Sequence, residues 1–353
     1  MTPMKNKQRG GAQSLLGIII KVGLAGTYMF GIWVMFFAEE REALYQLLQS
    51  AQEASHQQSL FVLRDNILEI SAEQVWRDLL EEGASQSPIP GIVMEVGMHR
   101  AIQCMNAAKA GFHAHCVEPS PNSFQRVQNA VLKAPADVQE RIHLYQVAAS
   151  SSSEGTVPFT SSGGTGDHVG GHDMWAMEEK QQENDPKAQV IQVPTKKLDD
   201  IVIPNEKAFL LKVDTQGFEP TVFSGLTESL AQHKIQYVLT EFWPRGMDLL
   251  AGRPNECIGA QLLETFLKYG YTLYAMPVAA HPLAPRGWTS IVPQRPLHNV
   301  QAFCEWYFYV ERAFPSKDYK MGYWSDILAV APGATLPSPK TQTGKALTGK
   351  ATL

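Results

Sequence analysis

The sequence predicts an α/β fold built on a mostly parallel sheet, and three observations carry that prediction. Between about Gly91 and Pro332, short apolar runs alternate with helical stretches. This pattern implies right-handed crossovers, with helices on both faces of one sheet. Several of the apolar runs end in an acid or a glycine, and open sheets of this kind bind ligands at the carboxyl ends of their strands. Finally, 44% hydrophobic and 18% charged residues in a chain of 353 supply a core and exclude disorder throughout.

Taken in order, Ile92–Val96 is the first expected strand, followed by a helix near Ala101–Ala110. Ala114–Val117 is the second, with a helix near Ser123–Leu132 behind it, and Ile142–Val147 is the third. Later strands are expected at Phe209–Val213, Tyr237–Thr240, Tyr271–Tyr274 and Ile327–Val330, which together define a domain over residues 91–335.

The front of the chain has a different composition. Leu15–Phe37 holds 23 residues with one charge, Lys21. At about 1.5 Å per residue it can cross a hydrocarbon core of roughly 30 Å. It is too long for the apolar region of a cleaved signal, and Phe36 stands where a small residue is wanted before Ala38. Lys5, Lys7 and Arg9 precede it, whereas Glu39, Glu40 and Glu42 follow. The positive-inside rule then predicts a single-pass type II membrane protein. Residues 1–14 are its cytosolic tail, 15–37 its transmembrane signal anchor, and the remainder lies in the lumen of the endomembrane system. Residues 38–90 read as a helical stem or linker, with Leu44, Leu47 and Leu48, then Val75, Leu79 and Leu80, at helical spacing. Pairing with a partner helix and light packing on the main domain both fit that stem. Residues 336–353 carry Thr, Ser, Gly, Pro and lysines without an acid, and read as a disordered tail.

The formal charge is 30 − 35 = −5 and no basic stripe is visible, which excludes a dedicated nucleic-acid binder. Cys104, Cys116, Cys257 and Cys304 show no CxxC spacing. Neither a zinc ribbon nor a disulfide-dense scaffold fits, and the pairing of the four stays open. The sequence does not give an oligomeric state.

Candidate binding residues cluster at strand ends. Glu95-Val-Gly97-Met98-His99-Arg100 closes the first strand, and Glu118, 21 residues beyond Gly97, closes the second. An acid so placed accepts hydrogen bonds from ribose hydroxyls, or is simply an exposed strand-end carboxylate. Further on, Lys212-Val-Asp214-Thr-Gln216-Gly217-Phe-Glu219 carries a hydrophobic strand into an acid, a glycine and a second acid. Val193-Pro-Thr195-Lys-Lys-Leu198-Asp199-Asp200 precedes it, and Glu241 ends the next strand.

The ordered set MEVG, VEPSPNSF, VPTKKLDD, LKVDTQGFEP and a strand ending in Glu241 resembles the FkbM-type S-adenosylmethionine-dependent methyltransferases, over about Ile92 to Glu241. The resemblance implies a class I methyltransferase (Rossmann-like) fold, a seven-stranded sheet with a reversed last strand, and S-adenosylmethionine as cofactor. It also implies O-methylation of a hydroxyl on a glycan or small molecule. By the same resemblance, Glu95 and Gly97 surround the methionine part of the cofactor and Glu118 binds its ribose. Asp214 stands near the transferred methyl and the acceptor, with Gly217 and Glu219 in the turn beyond. The family's first loop has an Asn and a second glycine where this chain has Met98-His99-Arg100. A bulky Arg100 there supports a rival reading, a catalytically degenerate methyltransferase fold serving as a membrane-anchored glycan- or protein-binding module. A nicotinamide cofactor ranks last, because no GxGxxG follows the first strand.

Methyl transfer needs an acceptor oxygen held close to an activated methyl and a base for one proton. Asp214 is the first candidate to orient or deprotonate the acceptor. His168 and then His172 follow, in the Gly-rich stretch Ser161–Asp173, expected as a flexible lid. Five glycines from Gly163 to Gly171 argue against the helix that a metal site at His168, His172 and Asp173 would need, so no metal is expected. His113 and His115 read as structural. Trp243, Trp288, Trp306 and Trp324 read as core or as the wall of an acceptor pocket.

Overall fold

The computed structural model describes residues 59–100, 102–161, 167–170, 189–201, 207–275, 296–313 and 324–336. The expected membrane anchor at 15–37, the cytosolic tail and the tail beyond 336 lie outside the described residues. Among the described residues, no helix is long and apolar enough to cross a membrane.

Eleven strands form two sheets among the described residues. The larger has the order β10-β11-β9-β8-β1-β2-β3. Its strands are β1 (Ile92–Val96), β2 (Ala114–Val117), β3 (Ile142–Tyr145), β8 (Ala208–Val213), β9 (Ile235–Phe242), β10 (Thr272–Ala275) and β11 (Ser325–Val330). β3, β2, β1, β8 and β9 pair in parallel, and β11 runs antiparallel to both β9 and β10. The sheet is therefore mixed rather than parallel, with β11 as its one reversed strand. Periodicity did not give that direction, because β11 is buried at every position and a continuous apolar run reads the same both ways.

The smaller sheet, β4-β7-β5-β6, was not expected. It comprises β4 (Ala148–Ala149), β5 (Thr156–Ser161), β6 (His168–Val169) and β7 (Gln189–Lys196), inserted between β3 and β8. The expected third strand, Ile142–Val147, ends at Tyr145, and the residues just beyond it, Ala148–Ala149, pair with β7. The small sheet keeps only a minor core of Ala148, Phe159, Val169 and Val193, too sparse to stand out in the sequence.

Nine helices are described: α1 (Ser59–Ala84), α2 (Ile102–Lys109), α3 (Pro121–Val131), α4 (Ala136–Gln139), α5 (Glu219–Ser224), α6 (Thr227–Ala231), α7 (Pro244–Leu250), α8 (Ile258–Lys268) and α9 (Val300–Ala313). The period-two alternation of strands separates their layers. On β9, Tyr237 and Leu239 join a core with Val75, Trp76, Leu79 and Leu80 of α1 and Ala107 and Ala108 of α2. Phe242, on the opposite face, packs against Phe303 and Tyr307 of α9. The second half of α1 is thus one wall of the core. Helix starts follow local chemistry: the Ser120 hydroxyl caps α3 with Pro121 at its first turn. Asp199, in the KLDD stretch, accepts from the Glu228 and Ser229 amides at 3.0 Å each and so caps α6. That acid of the motif is architectural.

Leu79 is completely buried on α1. Leu79→Ala should lower unfolding free energy by about 2–5 kcal/mol, as buried leucine truncations do, read as a shifted urea midpoint with an unchanged slope.

Candidate active site

The carboxyl ends of β2, β1, β8 and β9, with the start of the reversed β11, open into one cavity of about 630 Å³. That volume suits a small-molecule ligand. β1 is flanked by β2 on one side and β8 on the other, which makes it the switch point at which open α/β sheets bind ligands. Glu95, Gly97, Glu118, Asp214 and His168 all line this cavity. The structure therefore brings these five sequence-derived candidates together.

Gly97 has φ +80°, and a Cβ there would overlap the carbonyl oxygen of Asp214. Its first duty is to let the β1 loop pass against the β8 loop, and the backbone it approaches is the protein's own. The Asp214 amide donates to the Val96 carbonyl at 3.0 Å, which locks the two loops together. Glu95 turns inward: its Oε2 accepts from the Cys104 amide at 2.7 Å, in the first turn of α2. Burial pushes the Glu95 carboxyl up to about 8, against the opposing pull of Lys212.

Glu118 is held by two backbone amides. Oε1 accepts from Ser120 at 2.8 Å and Oε2 from His99 at 3.0 Å. His99 adopts φ +30°, an uncommon conformation for a residue with a side chain. Glu118 is only 5% exposed, and burial pushes its carboxyl up to about 7 despite those amides. Ser120 extends the network, donating from its hydroxyl to Asp167 Oδ2 at 3.0 Å. Arg100 is exposed on the cavity wall.

At the other end, Lys212 Nζ pairs with Asp214 Oδ2 at 2.8 Å. Burial works to lower the Lys212 pKa, but the charges of Asp214, Glu95 and Asp326 outweigh it and hold the ammonium raised. Gln216, at φ +56°, donates to Asp214 Oδ1 at 3.0 Å. Gly217 follows, where a Cβ would come within 2.7 Å of the Gly246 backbone. Glu219 starts α5, its Oε1 accepting from the Thr215 amide at 2.7 Å. Asp326 of β11 stands opposite Glu241 of β9, and both line the cavity.

His168 is not in a loop: it is a buried residue of β6, opposite Thr160. His172 and Trp288 lie outside the described residues, and among those described no group of side chains can hold a metal ion. His115 is buried against the Tyr145 hydroxyl at 2.9 Å, a structural contact on β2 and β3. Trp243 and Trp324 line the cavity, whereas Trp306 is core. Cys104 of α2 and Cys116 of β2 are disulfide-bonded, with Cys257 and Cys304 free and buried. Sequence reasoning gave no role to Lys212, although a lysine inside the buried run AFLLKV was the available signal.

The model of the methyltransferase FkbM domain matches residues 95–271, just over half of the chain. The chain belongs to the FkbM methyltransferase family. No curated protein matches the sequence. Solved structures similar to this FkbM protein include the glycopeptide N-methyltransferase MtfA complexed with (S)-adenosyl-L-methionine, at 12% identity, 46% of this chain, 52% of that chain and TM-score 0.24. They also include the precorrin-6y C5,15-methyltransferase from Geobacter metallireducens GS-15, at 13% identity, 57% and 73% coverage and TM-score 0.30. A third is the human methyltransferase 10 domain containing protein, at 11% identity, 76% and 82% coverage and TM-score 0.33. The FkbM chain spans about half the length of the glycopeptide enzyme it matches.

Gly97→Ala should cost about 1–3 kcal/mol through backbone strain and displace the Asp214 loop, measured by chemical denaturation and by a changed crystal position of Asp214. Glu95 provides a pH test. Its folded pKa of about 8 exceeds the ordinary 4.5, so the folded state binds more protons between those values and loses stability as pH rises through them. Glu95→Gln keeps the acceptor for Cys104, and its melting temperature should fall less than the wild type's between pH 5 and pH 8.

Proposed function

We propose that this FkbM-family methyltransferase uses S-adenosylmethionine to methylate a hydroxyl of a glycan or small molecule. The observation that carries the reading is Glu118: a buried carboxylate at the end of β2, fixed by two amides, with further lone pairs available on the cavity side. Such a group suits a ribose diol, and the open cavity beside Gly97 and Asp214 leaves room for the rest of the molecule.

The cofactor supplies an activated methyl group when bound. The chain's own residues do the remaining work. Glu118 would hold the ribose, and Glu95 with the Gly97 loop would border the methionine part. Asp214, steadied by Lys212 and Gln216, would orient the acceptor. His168 lines the same cavity from the small sheet and is a second candidate for contact with the acceptor. Trp243, Trp324, Phe159 and Phe218 beside the carboxylates offer apolar faces for a sugar ring and acceptors for its hydroxyls.

The proposal extends to location. The N-terminal stretch 15–37 would anchor the chain as a type II membrane protein with its domain in the lumen. The Cys104–Cys116 bridge supports that side of the membrane, because disulfides persist in oxidising compartments.

Calorimetric titration of S-adenosylmethionine into the full-length protein tests the cofactor assignment. Binding should be micromolar and at least tenfold weaker in Glu118→Ala, in line with the loss of a hydrogen-bonded charged group. Unchanged affinity in that variant would remove Glu118 from the site.

A further inference from the structure

The acceptor end of the cavity concentrates carboxylates. Asp214, Glu241 and Asp326 line it, and Glu219 is fully buried close by, with Oε2 lacking a hydrogen-bond partner among the described residues. Lys212 is the cation set among them.

These acids are not equivalent. Asp214 is committed on both oxygens, Oδ2 to the Lys212 ammonium at 2.8 Å and Oδ1 to the Gln216 amide at 3.0 Å. A proton arriving on either oxygen competes with a donor already in place. Glu241 is 8% exposed, and its contacts with Gln216 Nε2 are long, 3.4 Å to each oxygen. At that distance little hydrogen-bond energy ties the carboxylate to its partner.

We infer that Glu241, rather than Asp214, takes the proton of the acceptor hydroxyl, and that it becomes able to do so when the positive charge of the methyl donor enters the cavity. This inference rests on the S-adenosylmethionine reading above. Burial first, then the charges of Asp214, Glu219 and Asp326, push the Glu241 carboxyl well above its ordinary range, with Lys212 pulling the other way. Burial likewise pushes Glu219 up to about 7, which disfavours ionising both glutamates together. The resting protein therefore favours the protonated form of Glu241, and a protonated carboxyl cannot act as a base. An entering positive charge favours the ionised form and expels that proton. As the methyl is transferred the sulfonium charge disappears, and the proton affinity of the carboxylate rises again as it takes the acceptor's proton. In the transfer itself the acceptor's O–H bond breaks towards Glu241 while its oxygen bonds the methyl carbon. The sulfur keeps the electron pair of the broken S–CH₃ bond. Asp214, held by Lys212 and Gln216, serves as a positioning residue.

The test needs no acceptor. S-adenosylmethionine carries a fixed sulfonium charge, and S-adenosylhomocysteine has the same groups without it. Both are titrated into the full-length protein at pH 7.5, in phosphate and in Tris, whose different ionisation enthalpies reveal protons released on binding. The expected result is a larger proton release, by up to about one proton, for S-adenosylmethionine than for S-adenosylhomocysteine, with the difference lost in Glu241→Gln. Equal release by the wild type, or a difference that survives Glu241→Gln, overturns the assignment while leaving the cofactor reading intact. Failure of both ligands to bind overturns the cofactor reading and this inference with it. Should Glu241→Gln not fold, Glu95→Gln, Glu118→Gln and Glu219→Gln decide together, because these are the other raised acids on or beside the cavity. A difference that persists in all three supports Glu241, and one that vanishes in any of them assigns the proton to that residue and overturns the assignment.

Discussion

The close passage of Gly97 against the carbonyl of Asp214 is the constraint on which the rest of the site depends. It joins the loops that leave β1 and β8, the two central strands, and leaves no space for a side chain between them. Because the Asp214 amide also bonds the Val96 carbonyl, the acid is fixed relative to the first loop by backbone alone. The Glu118 carboxylate is fixed to that same loop through the His99 amide. Three loops from three adjacent strands thus share one rigid junction, and the cavity is the space they enclose. Rigid placement of this kind is what a displacement reaction requires, since its rate depends on holding two reactants in line.

The acids around the cavity are stabilised in two different ways. At the β2 end, two backbone amides hold Glu118, although burial outweighs them. At the β8–β9–β11 end, Lys212 stands among several carboxylates, and burial and mutual repulsion push Glu241 towards its protonated form. Such an excess of buried acid lowers the stability of the folded chain. Functional sites are where a fold tolerates costs of that kind. The unpartnered Glu219 Oε2 belongs to the same pattern. The Cys104–Cys116 bridge and the second half of α1 brace this region from behind, on the face where Trp76, Leu79 and Phe112 are fully buried.

Much of this was legible in the sequence because it depends on short-range patterns. The main strands are continuous apolar runs, and Gly97, Glu118 and Asp214 follow three of them directly. What was not legible depends on long-range pairing. The direction of β11 is unspecified by an apolar run that reads the same both ways, and the reversed last strand came from the family resemblance instead. The small sheet rests on four buried residues spread over Ala148 to Val193, so no window of sequence reveals it. His168 reads as part of a glycine-rich loop until β5 supplies its partner strand. Lys212 reads as an interruption of a strand until Asp214, Glu95 and Asp326 are seen around it. The helix and strand that carry Cys104 and Cys116 had to be packed together before that pair could be chosen from the four cysteines.

A crystal structure of the full-length protein with S-adenosylhomocysteine would test the central assignment most directly. The ribose diol should accept its place within hydrogen-bond distance of the Glu118 carboxylate, with the thioether sulfur towards Asp214 and Glu241. A nucleoside bound at the Glu241 end, or a ligand outside the cavity, would contradict the assignment.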